Sequence, residues 1–323
     1  MSNNIPVPGS DQGGITCIIC DVDIQRTAVS PVFPSWVLER FSLANHEYVP
    51  NGDVSTYGYV PTCSACENRL KTSVEDPVRN WVDDPNLEVD PDVLLVWLCH
   101  KLYSATAFGS LHLGNGDFLY TSGPQPAGTP LDLGPYQQVL RSFGRHSDHI
   151  EPRSWSSLFT YRTQTSEVPT HNFAFMHDPR NGVTVVRLGS VGLVGLLFDG
   201  GMGQYFEHFE KAHEAEPLSP VQFEEIAAFG LSIGLTLMPR KSPVVRIHDD
   251  RLDIGISMNR YSVEAFRHVY PRVLADMWSR DIAELFNNQG EILSTLFDPD
   301  GQPLHLGFRQ SVKWPSHELG AKQ

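Results

Sequence analysis

The rhythm of apolar and polar positions changes about halfway along the chain. Most predicted elements up to Phe143 have helical spacing, whereas from Trp155 the pattern turns to short extended runs before helical spacing returns at Pro220. Between Asp92 and Phe108, Val93, Leu94, Val96, Trp97, Leu98, Leu102 and Tyr103 nearly encircle a helix, which predicts an element buried on all sides. Shorter helices are predicted over Ser35–Leu43, with Ser35 as the N-cap, over Ala65–Val74 and over Pro135–Phe143. Asn45–Tyr59, with Asn51-Gly52-Asp53 inside it, reads as a turn flanked by short extended pieces.

In the second half, Leu158–Tyr161 and Phe173–Met176 read as strands, and Arg180-Asn181-Gly182 as a hairpin turn into a strand over Val183–Leu188. After Gly189-Ser190, the run Val191–Phe198 is apolar enough to be a central strand buried on both faces. Pro220–Leu237 reads as a helix despite Gly230 and Gly234. Val244–Ile247 and Leu252–Ile256 form a second hairpin about Asp249-Asp250. Val263–Phe286 is helical in two pieces, broken or kinked at Pro271, and Leu304–Phe308 adds an edge strand. The fold class expected is α+β: a small N-terminal module followed by a larger antiparallel-sheet domain with packed helices.

The acidic, proline-bounded stretch Asp83–Pro91 marks the expected boundary. It separates a disordered tail (1–14) and a first module (15–85) from an α+β domain (86–323) of unassigned function. The polar N-terminus has no basic segment leading into an apolar stretch, so no secretory signal is expected. No apolar run approaches the roughly 20 residues of a membrane helix. The expectation is a cytoplasmic protein with no membrane partner, whose thiols are free to bind metal. Nothing in the pattern sets an oligomeric state.

Four of the five cysteines form two Cys-x-x-Cys knuckles, Cys17-Ile18-Ile19-Cys20 and Cys63-Ser64-Ala65-Cys66, with 42 residues between them. Two sulfurs at this spacing sit on one tight turn and hold one side of a tetrahedral metal. A second knuckle alongside completes a set closed to substrate, which makes the expected site structural. Zinc is the expected metal, with iron in a rubredoxin-like site as the alternative. The second knuckle runs straight into the predicted helix Ala65–Val74, which puts one ligand on a turn and one at the helix start.

These residues resemble HNH nuclease-like proteins of the four-cysteine type. There a metal-held ββα core has one knuckle before it and another at its end. The frame carrying the resemblance is Cys17/Cys20, then Val32-Phe33-Pro34-Ser35-Trp36, then Cys63-Ser64-Ala65-Cys66-Glu67-Asn68-Arg69-Leu70-Lys71. It covers only Cys17 to Lys71. The resemblance implies a structural zinc, and in active members a divalent ion such as Mg2+ beside an acid–histidine pair that activates water. This chain has Ser30-Pro31 where that pair belongs, and Glu67 where a metal-binding histidine follows the last cysteine. Serine and proline cannot take a proton from water, whereas Glu67 retains a carboxylate for Mg2+. The remaining candidates for re-sited catalysis are Asn51, at the place of the middle asparagine, and His46, the sole histidine between the knuckles.

Net charge is −14, and Cys17–Val82 holds five basic against eight acidic residues. Nonspecific nucleic-acid binding draws on Lys and Arg displacing phosphate counterions, and this balance does not favour it. Cys99-His100 lie about 100° apart on the predicted buried helix, so they do not chelate one ion together, and Cys99 reads as a buried thiol. His146-Ser147-Asp148-His149, with His171 and His177 downstream, lacks the further ligands of a metal site. Gly189-x-x-Gly192-x-x-Gly195 and Gly200-Gly201-x-Gly203 lack the Lys-Ser/Thr of a phosphate loop, and no nucleophile elbow is present. Two functions remain: a zinc-binding protein with a catalytically degenerate HNH-like module acting on a protein or nucleic-acid partner, and, as the resemblance implies, a metal-dependent endonuclease cutting nucleic acid in defence against foreign DNA.

Overall fold

The computed structural model describes residues 15–25, 29–43, 59–108, 133–146, 156–236, 244–247, 252–255, 263–286, 290, 292–298 and 300–306. The expected tail (1–14), the turn around Asn51, the residues 147–149 of the histidine cluster and the Asp249-Asp250 turn lie outside the described residues.

Two small two-stranded sheets open the described part of the chain. Strands β1 (Ile15–Thr16) and β2 (Asp23–Ile24) pair antiparallel around the first knuckle. Strand β3 (Val29–Pro31) pairs antiparallel with β4 (Tyr59–Pro61), with helix α1 (Ser35–Arg40) between them in sequence. Pro34, not Ser35, occupies the N-cap of α1: Ser35 is already helical. Helix α2 (Ser64–Leu70) then continues through a π-helical stretch (Lys71–Glu75) into α3 (Asp76–Asp83). The helix therefore outruns the expected Val74. Pro77 falls just after the π stretch, where the change of hydrogen-bond register suits a residue with no N–H to donate.

After a seven-residue connection, α4 (Pro91–Phe108) runs as expected, with every residue from Leu94 to Leu102 buried. Helix α5 (Gly134–His146) packs against it. The main sheet follows, with β5 (Ser157–Arg162), β6 (Phe173–Asp178), β7 (Val183–Leu188) and β8 (Val191–Leu196) in the antiparallel order β5-β8-β7-β6. Gly189-Ser190 forms the two-residue β7–β8 loop, and Gly189 supplies the φ of +67° that such a turn requires in its first position.

Alternation along these strands sorts side chains to two faces. Val191 and Leu193 of β8, Val186 and Leu188 of β7, and Phe173 and Phe175 of β6 join one apolar cluster. Val194 and Leu196, Val183 and Val185, and Met176 join the other. Both faces are covered, which is why β7 and β8 read as continuous apolar runs. Two glycines set the distance of the covering helices. A Cβ on Gly192 would sit 2.3 Å from the Phe223 ring of α7 (Pro220–Thr236), and one on Gly195 would sit 2.5 Å from Leu98 Cδ1 of α4. The layers are thus α4, sheet, α7.

Beyond the sheet come the short helix α6 (Glu207–Lys211), then α7, the hairpin β9 (Val244–Ile247) and β10 (Leu252–Gly255), and α8 (Val263–Met277). The expected break at Pro271 does not occur, and the helix runs through it to Met277. Packing on α7 from both sides of the proline, Phe266 and Tyr270 against Phe229 and then Val273, Leu274 and Met277 in the core, outweighs the one hydrogen bond that proline forgoes. Residues 282–285 form a separate 3-10 turn, so the helix does not reach Phe286. No strand forms over 304–306. That segment is instead tied to α7 and to the loop after β5, Gln222 donating to Leu304 O at 2.6 Å and Gln164 to Leu306 O at 2.5 Å. Among the described residues no helix is long and apolar enough to cross a membrane.

The apolar cluster on the α4 face crosses the expected boundary at 83–91. It includes Cys17, Ile19, Val32, Phe33 and Val37 from the N-terminal segment together with α4 and β6. Phe33 meets Phe173 and Phe175 edge-on, with ring centroids 5.3 and 5.1 Å apart.

Candidate metal centre

The first knuckle is shaped by backbone bonds within the β1–β2 turn. Cys17 N donates to Val22 O at 2.9 Å, Asp21 N donates to Cys17 O at 2.9 Å, and Asp21 takes a left-handed φ of +65°. The second knuckle sits where β4 gives way to α2. Cys63 is the N-cap of that helix, and its sulfur accepts the Cys66 N–H at 3.4 Å. Two bonds join the knuckles: Ile18 N to Pro61 O at 3.0 Å, and Cys63 N to Cys17 Sγ at 3.4 Å. Helix α5 braces the assembly. Arg69 donates to Gly144 O at 2.8 Å, Arg141 reaches Asp21 at 2.8 Å, and Gly144 lies so close to Ile19 that a Cβ there would come within 2.7 Å of Cγ2.

The result is one cluster in which the sulfurs of Cys17, Cys20, Cys63 and Cys66 all lie within 4.8 Å of one another. Cys20 Sγ and Cys63 Sγ are 3.6 Å apart. A tetrahedron of thiolates about 2.3 Å from a central zinc has edges of about 3.8 Å, so the spacing fits that ion. Among the described residues this is the sole group of three or more side chains able to share a metal. Burial, reinforced by the neighbouring sulfurs, holds the Cys66 thiol far above its ordinary value. Burial also raises Cys20. At Cys63 burial acts upward too, but the Cys66 N–H and the adjoining thiols outweigh it and bring the value below the ordinary one.

The other sequence candidates stand apart from this cluster. His46 and Asn51 lie outside the described residues. Glu67 is exposed on the first turn of α2. Ser30 and Pro31, at the place of the acid–histidine pair, lie on β3 opposite Val60 and Tyr59, and Ser30 is only 7 % exposed, with its Oγ lacking a hydrogen-bond partner. His146 ends α5, His171 lies in a 3-10 turn, and His177 is buried on β6, stacked on Phe175. Gly201 and Gly203 do not present amides to an anion, because both donate to the Asp199 carboxylate at 3.0 and 2.7 Å. Cys99 is fully buried, and burial raises its thiol.

One polar group was not anticipated from the sequence. Lys101, 1 % exposed on α4, donates to Glu75 Oε1 at 2.6 Å and to Val32 O at 2.8 Å, and its Nζ lies 3.3 Å from His100 Nδ1. Trp97 Nε1 donates to the other oxygen of Glu75 at 3.0 Å. With Nδ1 accepting, the His100 proton sits on Nε2, which is buried without a partner. Burial, with the adjacent Lys101 charge, keeps His100 neutral. Burial lowers Lys101 while the Glu75 carboxylate counteracts it. The hint in the sequence was a lysine inside the otherwise apolar face of α4, since buried charges are paired. This ion pair fastens the π stretch of Lys71–Glu75 and the end of β3 to α4.

Comparison of the chain with known protein families, with curated proteins and with solved structures yields no match, so the centre is defined by its own geometry as a four-cysteine cluster able to hold a metal ion.

Proposed function

We propose that Cys17, Cys20, Cys63 and Cys66 bind one structural zinc ion in a catalytically degenerate HNH-like module that serves macromolecular binding. The observation carrying this reading is the convergence of four sulfurs from two knuckles to within 4.8 Å. Bound there, zinc would supply a closed four-thiolate cross-link with no open position for chemistry. The chain's own residues do the rest. The β1–β2 turn presents Cys17 and Cys20, the start of α2 presents Cys63 and Cys66, and α5 holds the first turn in place through Arg141 and Gly144. The antiparallel β3–β4 pair followed by α2, which carries the last two ligands, supports the HNH-like reading, although here α1 is inserted between the two strands.

Against retained nuclease chemistry stands Ser30. It occupies the place of the water-activating pair, has no basic group, and is buried where a phosphodiester does not reach. In this reading residues 15–85 form the metal-held module, docked through Phe33 and the Glu75–Lys101 pair on the α+β part, 86–323. Elemental analysis tests the proposal. Purified protein should hold about one zinc per chain, Cys63→Ser should lose it, and chelation should raise hydrogen exchange over 15–85 before the sheet. Zinc-free protein, or zinc unchanged in Cys63→Ser, would overturn it.

A further inference from the structure

The four sulfurs are not equivalent. Cys17 is fully buried and Cys66 is 6 % exposed, whereas Cys20 and Cys63 are half-buried and form the solvent-facing edge of the cluster. Those two belong to different knuckles, 43 residues apart, and lie 3.6 Å from each other. A reagent arriving from solvent therefore meets one sulfur of each knuckle, not both sulfurs of one. The backbone around them is fixed from both sides, by the Ile18–Pro61 hydrogen bond and by the Cys66 N–H on Cys63 Sγ.

Resting on the zinc reading above, we propose that the Cys20–Cys63 pair is an oxidation-sensitive latch through which a peroxide discharges the metal. One edge thiolate attacks hydrogen peroxide. A sulfur–oxygen bond forms, the oxygen–oxygen bond breaks, hydroxide leaves, and the cysteine becomes a sulfenic acid. The second edge thiolate attacks that sulfur, forming the disulfide and expelling a second hydroxide. In sum, two thiolates and one peroxide give one disulfide and two hydroxides: the sulfurs are oxidised by two electrons and the peroxide is reduced by two. Two ligands, Cys17 and Cys66, then remain, too few to retain the ion. The sulfurs need only close from 3.6 Å to the roughly 2.05 Å of a disulfide. Because the new bond joins the β1–β2 turn to the start of α2, it replaces the cross-link that the metal supplied. The oxidised module stays folded without zinc, unlike the chelated, reduced one.

The test uses the purified 323-residue chain with its zinc measured first. Hydrogen peroxide is added in modest excess, aliquots are alkylated rapidly, and tryptic peptides are sequenced by mass spectrometry. Cys17 and Cys20 share the peptide 1–26, and Cys63 and Cys66 share 41–69, so cross-links between knuckles and within them differ in kind. The inference predicts loss of two of the five thiols, release of the zinc, peptides 1–26 and 41–69 joined through Cys20 and Cys63, and a proteolysis pattern over 15–85 like that of the zinc-loaded chain. First-formed Cys17–Cys20 or Cys63–Cys66 bonds, or zinc retained with all thiols intact, would overturn the latch while leaving the metal reading standing. Protein isolated without zinc would overturn the metal reading itself, and the latch with it.

Discussion

Replacing Lys101 by methionine keeps most of the aliphatic stem that packs inside α4 but removes the charge. The ammonium gives Glu75 its closest hydrogen bond, at 2.6 Å, caps Val32 O at 2.8 Å, and lies over the Phe33 and Trp97 rings at 5.8 and 5.3 Å. In the variant, Glu75 stays only 6 % exposed with a carboxylate facing an apolar side chain. Removing one member of a buried pair costs about 3–5 kcal/mol, chiefly because the other is stranded. A domain's whole stability is about 5–15 kcal/mol, so the loss is large. The double variant Glu75→Gln/Lys101→Met removes both charges and leaves glutamine to accept from Trp97 Nε1. It should recover most of the loss, because an ion pair exchanged for neutral groups of similar volume is nearly neutral. Urea denaturation followed by circular dichroism reads both, with the single variant's midpoint well below wild type and the double variant's between them. A Lys101→Met loss under about 1 kcal/mol, or a double variant worse than the single one, would refute the assignment of the pair as the fastening between β3, the π stretch and α4.

Three further outcomes are expected. Leu98 is fully buried and its Cδ1 fills the space over Gly195, so Leu98→Ala should cost about 2–5 kcal/mol in the same assay, and a near-neutral result would contradict the layering of α4 on the sheet. Burial, against a smaller opposing effect of Asp178, pushes His177 down to about 4. The unfolded chain therefore takes up that proton near pH 6.5 and the folded one only near pH 4, so stability present above pH 6.5 falls on acidification through this window. The difference limits the effect to about 3 kcal/mol, and His177→Leu should flatten the profile between these limits. Plasmid DNA with Mg2+ or Mn2+ should remain uncut, since loss of the general base alone costs about 10²–10⁴-fold. Cutting that disappears in His46→Ala or Glu67→Ala would show a relocated active site.

The parts of this structure written in local patterns were legible. Cys-x-x-Cys spacing constrains two sulfurs to one turn whatever surrounds them. The hairpin turn at Arg180-Asn181-Gly182 and the unbroken apolar run of β8 announced the sheet, both of whose faces are covered as that run requires. What escaped depended on partners distant in sequence. Pro271 stays within α8 because α7 grips the helix on both sides of it. Glu75 and Lys101, 26 residues apart, are ordinary charges in the sequence and become a buried pair only when α4 packs against the helix from Ser64 to Asp83. The sharing of one apolar cluster by the cysteine-bearing segment and the sheet, through Phe33, likewise leaves no local signal in the sequence.

The measurement that bears most directly on the central claim is X-ray absorption at the zinc edge on the purified chain. Four sulfurs at about 2.3 Å, with no nitrogen or oxygen in the inner shell, is the result predicted for Cys17, Cys20, Cys63 and Cys66 as a closed structural site. An inner shell containing nitrogen or oxygen, or no zinc to observe, would contradict it.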